Sequence, residues 1–188
     1  MAKKESDVRT RLHEAGLELF HERGYDRTTA AEIAGRAGVT ERTFFRYFPD
    51  KREVLFDGET LVRETLTASI ADAPAGLGPL DTLFQAFRAF QPMLEDKRSY
   101  AKPRQDIISA TPALHERELT KIAALGDALA LALVTRGVPE LRAVLAARAG
   151  MAAFVHATLV WLDDPCIGLG ERFDLAFREM KALLAESC

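Results

Sequence analysis

Arg42 and Arg46 stand four residues apart in the run TERTFFRY, residues 40–47. In a helix that spacing puts both guanidinium groups on one face. A guanidinium so placed can meet O6 and N7 of guanine as a bidentate pair, the commonest specific base contact in a major groove. Thr43 and Tyr47 are also four apart, and their hydroxyls suit phosphate oxygens, which orient a protein on DNA without reading it. Thr40 stands where the helix would begin, and the partly positive amides there suit a phosphate. Lys51 falls in the first turn of a following helix, where the dipole disfavours a cation. A phosphate beside it would offset that cost. The chemistry on offer is recognition of bases and phosphates, with a solvated surface residue as the alternative for each arginine.

The flanking residues supply the elements that would hold this face. Thr29 with Glu32 fits S/T-x-x-E, a capping box opening a helix that runs to about Ala37. Gly38 supplies the left-handed position that closes a helix cheaply, and Thr40 caps the next one. Ala34, Gly38 and Phe44 form the expected spine: a small residue for close approach, a corner, and a large apolar pin. Pro49 ends the second helix, and Asp50 with Glu53 caps a third. Two short helices joined by a tight turn, the second bearing base-reaching side chains, make a helix-turn-helix.

The run GYDRTTAAEIAGRAGVTERTFFRYFPDK, residues 24–51, resembles the DNA-binding segment of the TetR (tetracycline-repressor) family of bacterial regulators. Gly24, Tyr25, Thr28, Thr29, Ile33 and Ala34 match its pattern, followed by Ala37, Gly38, Val39, Thr40, Thr43 and Phe44, then Tyr47, Phe48, Asp50 and Lys51. Ala30 departs from a usual larger apolar residue. Phe45 replaces a common Tyr whose hydroxyl often reaches a phosphate in the family. Residues and resemblance together give a DNA-facing set of Thr28, Thr29, Thr40, Arg42 and Thr43, with Phe45, Arg46, Tyr47 and Lys51. The resemblance implies a body that senses a small molecule and a helix from Asp50 that carries the response to the DNA-binding head.

Charge narrows the claim. The 188 residues carry a net −3. Residues 1–52 hold 11 Lys and Arg against nine Asp and Glu, so the head is only weakly basic. Binding should therefore be specific and salt-sensitive, with weak non-specific affinity. Cys166 and Cys188 form neither a disulfide framework nor a zinc pattern, and a cytoplasmic protein is expected. No signal peptide follows Lys3 and Lys4. The longest charge-free apolar stretch, residues 149–162, is too short to span a bilayer, so no membrane is expected.

Apolar periodicity predicts an all-α chain of about nine helices. Residues 1–5 read as a frayed tail, and a helix capped by Ser6 or Asp7 runs to Arg23. A long linking helix is expected from Asp50 to about Ala71. A helix kinked at Pro92 follows the break at 73–79. Residues 97–110 read as irregular, with Pro103 at a first helical position. Helices from Pro112, Pro139 and residue 170 complete the chain, the last marked by Phe173, Phe177, Met180 and Leu184. The domain expectation is a three-helix head over 1–50 and a ligand-binding and dimerisation body over 51–188, with 51–71 as the link.

Reading a palindromic operator needs two recognition helices about 34 Å apart, hence a two-fold homodimer. Helices 139–163 and 170–186 are the expected interface, unless they simply fill the monomer core. Phe84, Phe87, Phe90 and Tyr100, with His115, Phe154, His156 and Trp161, are candidate liners of a ligand pocket. Plain core packing is the alternative for each. No phosphate-binding loop, nucleophile elbow or zinc-protease motif occurs, so no enzyme activity, cofactor or metal is expected. The resulting expectation is a regulator, a repressor released from double-stranded operator DNA by an unidentified small molecule. One alternative is a regulator controlled by a protein partner or acting constitutively. Another is a helical binding protein or enzyme that has lost DNA affinity.

Overall fold

The computed structural model describes residues 2–185, so Cys188 and the Leu184 side chain lie outside the described residues. Every regular element among them is helical. In chain order these are α1 Ala2–Arg23, α2 Ala30–Arg36, α3 Glu41–Tyr47, a 3-10 turn Lys51–Val54, α4 Glu59–Asp72, α5 Pro79–Asp96, α6 Arg98–Ala110, α7 Pro112–Thr135, α8 Glu140–Asp163 and α9 Leu169–Ala185. The all-α class and the helix count follow the sequence expectation.

Three local expectations are corrected. The frayed tail is helical from Ala2, so Ser6 and Asp7 lie inside α1 rather than at its start, and the Ser6 side chain lies outside the described residues. The single linking helix is two elements, because Gly58 at φ +90° breaks the chain between the 3-10 turn and α4. Residues 98–110 form a regular helix, with Pro103 inside it rather than at its start. Pro92 sits inside α5, which continues to Asp96. A proline costs a helix one ladder hydrogen bond. Here the buried face of α5, with Leu83, Ala86, Phe87 and Phe90, outweighs that loss.

The chain divides into two compact units. The first comprises residues 1–59 and 103–117, the second residues 60–102 and 118–188. Sequence reading did not anticipate the return of 103–117 to the first unit. Ile108 and Leu114 are fully buried there, in one core with Leu12, Leu19, Phe20, Ile33, Phe44, Phe48, Val54 and Leu55. The Arg104 guanidinium donates to the Leu55 carbonyl, and Arg117 pairs with Glu53 at 2.9 Å.

In the second unit α8 is the central helix, packed on α5 and α9. Ten of its residues are buried, from Ala143 to Leu162. Gly150 lets α5 come close, since a Cβ there would stand 3.0 Å from Leu83 Cδ1. By length and composition α8 could cross a bilayer, because the charge-free stretch read from sequence is only part of a 24-residue helix. Its buried face instead serves the core of this unit. Arg98 donates to the Leu162 carbonyl at 2.8 Å and lies over the Trp161 ring, closing the C-terminal end of α8.

Candidate nucleic-acid interface

The corner between α2 and α3 is built as the residues dictate. The Thr29 hydroxyl accepts from the Glu32 amide at 3.2 Å, and the Glu32 carboxylate accepts from the Thr29 amide at 2.8 Å. Those bonds from Thr29, backbone amide first, hold the Glu32 carboxyl below the usual carboxylate range. Ala37 caps α2, and Gly38 at φ +69° turns the chain. Thr40 then caps α3, accepting from the Thr43 amide at 3.2 Å, and the two hydroxyls lie 2.9 Å apart. Ala34 and Phe44 are buried beneath the corner, which makes them its spine.

α1 braces this pair through contacts with no local sequence signal. Arg11 donates to the Ala37 carbonyl at 2.8 Å, satisfying a group the helix end leaves open. Arg36 of α2 bridges Glu18 and Glu22 of α1 at 3.1 and 2.9 Å. The hydrogen bond to Arg36 keeps the Glu22 carboxyl low. Sequence reading missed Arg11 and Arg36 because their partners lie 14 to 26 residues away.

The predicted DNA-facing residues separate into two groups. Arg42, Phe45 and Arg46 share the exposed side of α3, while Phe44 turns inward. Arg42 has no hydrogen bond or ion pair among the described residues. Arg46 donates to the Tyr47 hydroxyl at 3.0 Å, with its guanidinium 4.9 Å from the Tyr47 ring centroid. Arg46 and Tyr47 therefore present one joint donor group. Phe45 stands half exposed, its ring edge-on to Phe44 at 5.4 Å. Thr29, Thr40 and Thr43 keep their side chains near the surface but use them as caps or cap partners.

Thr28 and Lys51 are engaged within the head itself. Thr28 is buried, and its hydroxyl donates toward the Gly24 and Leu19 carbonyls at 3.0 and 3.3 Å. It ties the loop before α2 to the end of α1. Lys51 Nζ donates to the Tyr25 and Thr28 carbonyls, each at 2.8 Å, and lies 4.3 Å from the Tyr25 ring centroid. These carbonyls offset the cost of a cation at a helix start. Burial pushes the Tyr25 phenol up to about 12, so it stays neutral under that ammonium. Asp50 accepts from the Arg52 and Glu53 amides at 2.8 and 3.2 Å. Burial would raise its carboxyl, but bonds from the Arg52 side chain and these amides bring it below the usual range.

The candidate pocket liners divide into an aromatic cluster and three polar residues that lie apart from it. Phe87 stacks on Phe154 with centroids 4.4 Å apart, Phe154 on Phe173 at 5.4 Å, and Phe84 meets Phe177 at 4.8 Å. Phe90 and Trp161 are buried in the same cluster. These aromatics fill one another's space as core. The polar candidates lie elsewhere. His156 is exposed because it falls on the opposite side of α8 from Phe154, Ala157 and Trp161. Tyr100 is exposed on α6. His115 is exposed and belongs to the first unit, not the second.

A capped corner, a braced pair of short helices and an outward guanidinium form a helix-turn-helix DNA-binding surface. The model for bacterial regulatory proteins of the tetR family matches residues 12–57, and the model for the MftR C-terminal domain matches residues 77–185, more than half the chain. The chain belongs to the tetR family of bacterial regulatory proteins and is a DNA-binding transcriptional regulator. It is similar to the transcriptional regulator TcmR of Streptomyces glaucescens, 40% identical over 82 residues. That match covers 44% of this chain and only 36% of TcmR. The putative mycofactocin biosynthesis transcriptional regulator MftR of Mycobacterium tuberculosis is 23% identical over 94% of this chain and 91% of its own length. Among solved structures, the TetR-family repressor FadR of Thermus thermophilus, in complex with lauroyl-CoA, is 28% identical with a TM-score of 0.57, covering 92% of each chain. The SmeT–triclosan complex shares the fold, with a TM-score of 0.66 at 23% identity over 94% of this chain and 90% of SmeT.

Proposed function

We propose that the protein is a homodimeric repressor that binds a palindromic operator and leaves it when a small apolar molecule binds the body. The observation that carries this reading is the face of α3: Arg42 unpaired, Arg46 docked on Tyr47, and the corner beneath closed by caps and a buried Phe44. Arg42 reads a base, and the Arg46–Tyr47 pair and the capped Thr40–Thr43 turn meet phosphates. In this reading residues 1–50 are the DNA-binding domain and 51–188 the ligand-binding and dimerisation domain. The protein works in the cytoplasm and catalyses no reaction.

Dimerisation through α8 and α9 accounts for side chains that the second unit leaves outside. Leu141 and Leu145 are 71% and 60% exposed on α8, and Leu175 and Leu183 are exposed on α9. Pairing these faces across a two-fold axis would bury them as a four-helix interface. An apolar effector is supported by the lauroyl-CoA and triclosan held by FadR and SmeT.

A second reading has its own support. The aromatics around Phe87 and Phe154 already pack against each other, which favours a regulator governed by a protein partner or acting without an inducer. Sequencing the duplexes retained by the purified full chain from a random pool tests the DNA-binding claim. An inverted repeat with half-sites one helical turn apart, about 34 Å, is the expected result. Retention without an enriched sequence would overturn it.

A further inference from the structure

Phe45 is the one apolar side chain on the outward side of α3, between two arginines. It is 51% exposed, and Arg42 lies three residues before it and Arg46 one after. Leaving half of such a ring in water gives up burial energy that the fold could have gained. The ring is also held. It packs edge-on against Phe44, at an interplanar angle of 88°, and Phe44 is fully buried in the head core. A phenylalanine has no hydroxyl to offer a phosphate. What an aromatic edge can recognise in a major groove is the 5-methyl group of thymine, the one apolar feature a base pair presents there.

We infer that Phe45 is a specificity-determining residue that packs on the methyl group of a thymine beside the base read by Arg42. This rests on the reading of α3 as the recognition helix. The contact gives each half-site a second readable position without any further hydrogen bond. It also assigns distinct work to the two exposed neighbours, a guanine edge for Arg42 and a methyl group for Phe45.

The test starts from the duplex that the full chain retains in selection. Each thymine of the half-site is replaced singly by deoxyuridine, which removes the methyl group and keeps the pairing. At one position the wild type should lose affinity by about fourfold, the worth of one buried methyl. Phe45→Ala should bind the thymine and deoxyuridine duplexes equally, and Phe45→Tyr, which keeps the ring, should retain the loss. Circular dichroism checks that both variants fold, which the exposure of the side chain favours. The inference is overturned if no single deoxyuridine weakens the wild type, or if Phe45→Ala keeps the full loss. Retention of no duplex at all would refute the DNA-binding reading itself, and this inference with it.

Discussion

Lys51 and Arg42 are both cations of the head, and their surroundings give them different work. The Lys51 ammonium is held by two carbonyls at 2.8 Å and by the face of Tyr25. Hydrogen bonds to a charged group contribute about 1.5–3 kcal/mol. Lys51→Met should therefore lower the stability of the head by about 2 kcal/mol, seen in urea unfolding, while the dependence of DNA affinity on salt keeps its slope. A flattened slope would instead give Lys51 a phosphate contact. Arg42→Ala should leave unfolding unchanged and reduce affinity for the selected duplex by about 1–3 kcal/mol, with little effect on random duplex. Equal losses on both duplexes would make Arg42 a phosphate contact. The type and spacing of Arg42, Arg46 and Phe45 were readable from the chain, since a four-residue offset fixes a shared helix face. The confinement of Lys51 and Thr28 was not, because their partners are backbone carbonyls brought in by a loop closed elsewhere.

At the scale of elements, the α2–α3 corner depends on backbone conformation and on charge. Gly38 stands at φ +69° with open space around it, since an added Cβ would meet only Arg11 Nη1 at 3.6 Å. Gly38→Ala should thus cost about 1–2 kcal/mol from the left-handed conformation alone, measured as a fall in unfolding midpoint with the helical spectrum unchanged. Glu32, Glu22 and Asp50 all have carboxyls held below their usual range in the folded head. A lowered native value means that their stabilisation is present above the unfolded values near 4 and is lost as pH falls through the native ones. Urea unfolding at pH 7 and pH 3 should show Glu32→Gln less stable than wild type at pH 7, with the gap narrowing at pH 3. A constant gap would remove the capping carboxylate from the acid response. Caps and corner were legible because each is a local spacing: Thr29 to Glu32, Gly38, Thr40 to Thr43. The split of the linking helix at Gly58 and the regular helix over 98–110 were not. Apolar periodicity continues across Gly58, and Pro103 reads as a start signal although its helix begins at Arg98.

For the molecule as a whole, a weakly basic head leaves specificity to geometry, and the proposed palindromic operator calls for two heads. Leu145→Glu places a charge on a face of α8 that the proposed dimer buries. Sedimentation should show wild type as a dimer at micromolar concentration and the variant as a monomer with an intact helical spectrum. A monomeric wild type would refute dimerisation through α8 and α9. The most direct measurement of the central claim is the affinity of the full chain for its selected duplex against a scrambled duplex of the same length, at physiological salt. Binding to the selected sequence should be at least about a thousandfold tighter. Equal affinity for the two duplexes would contradict it.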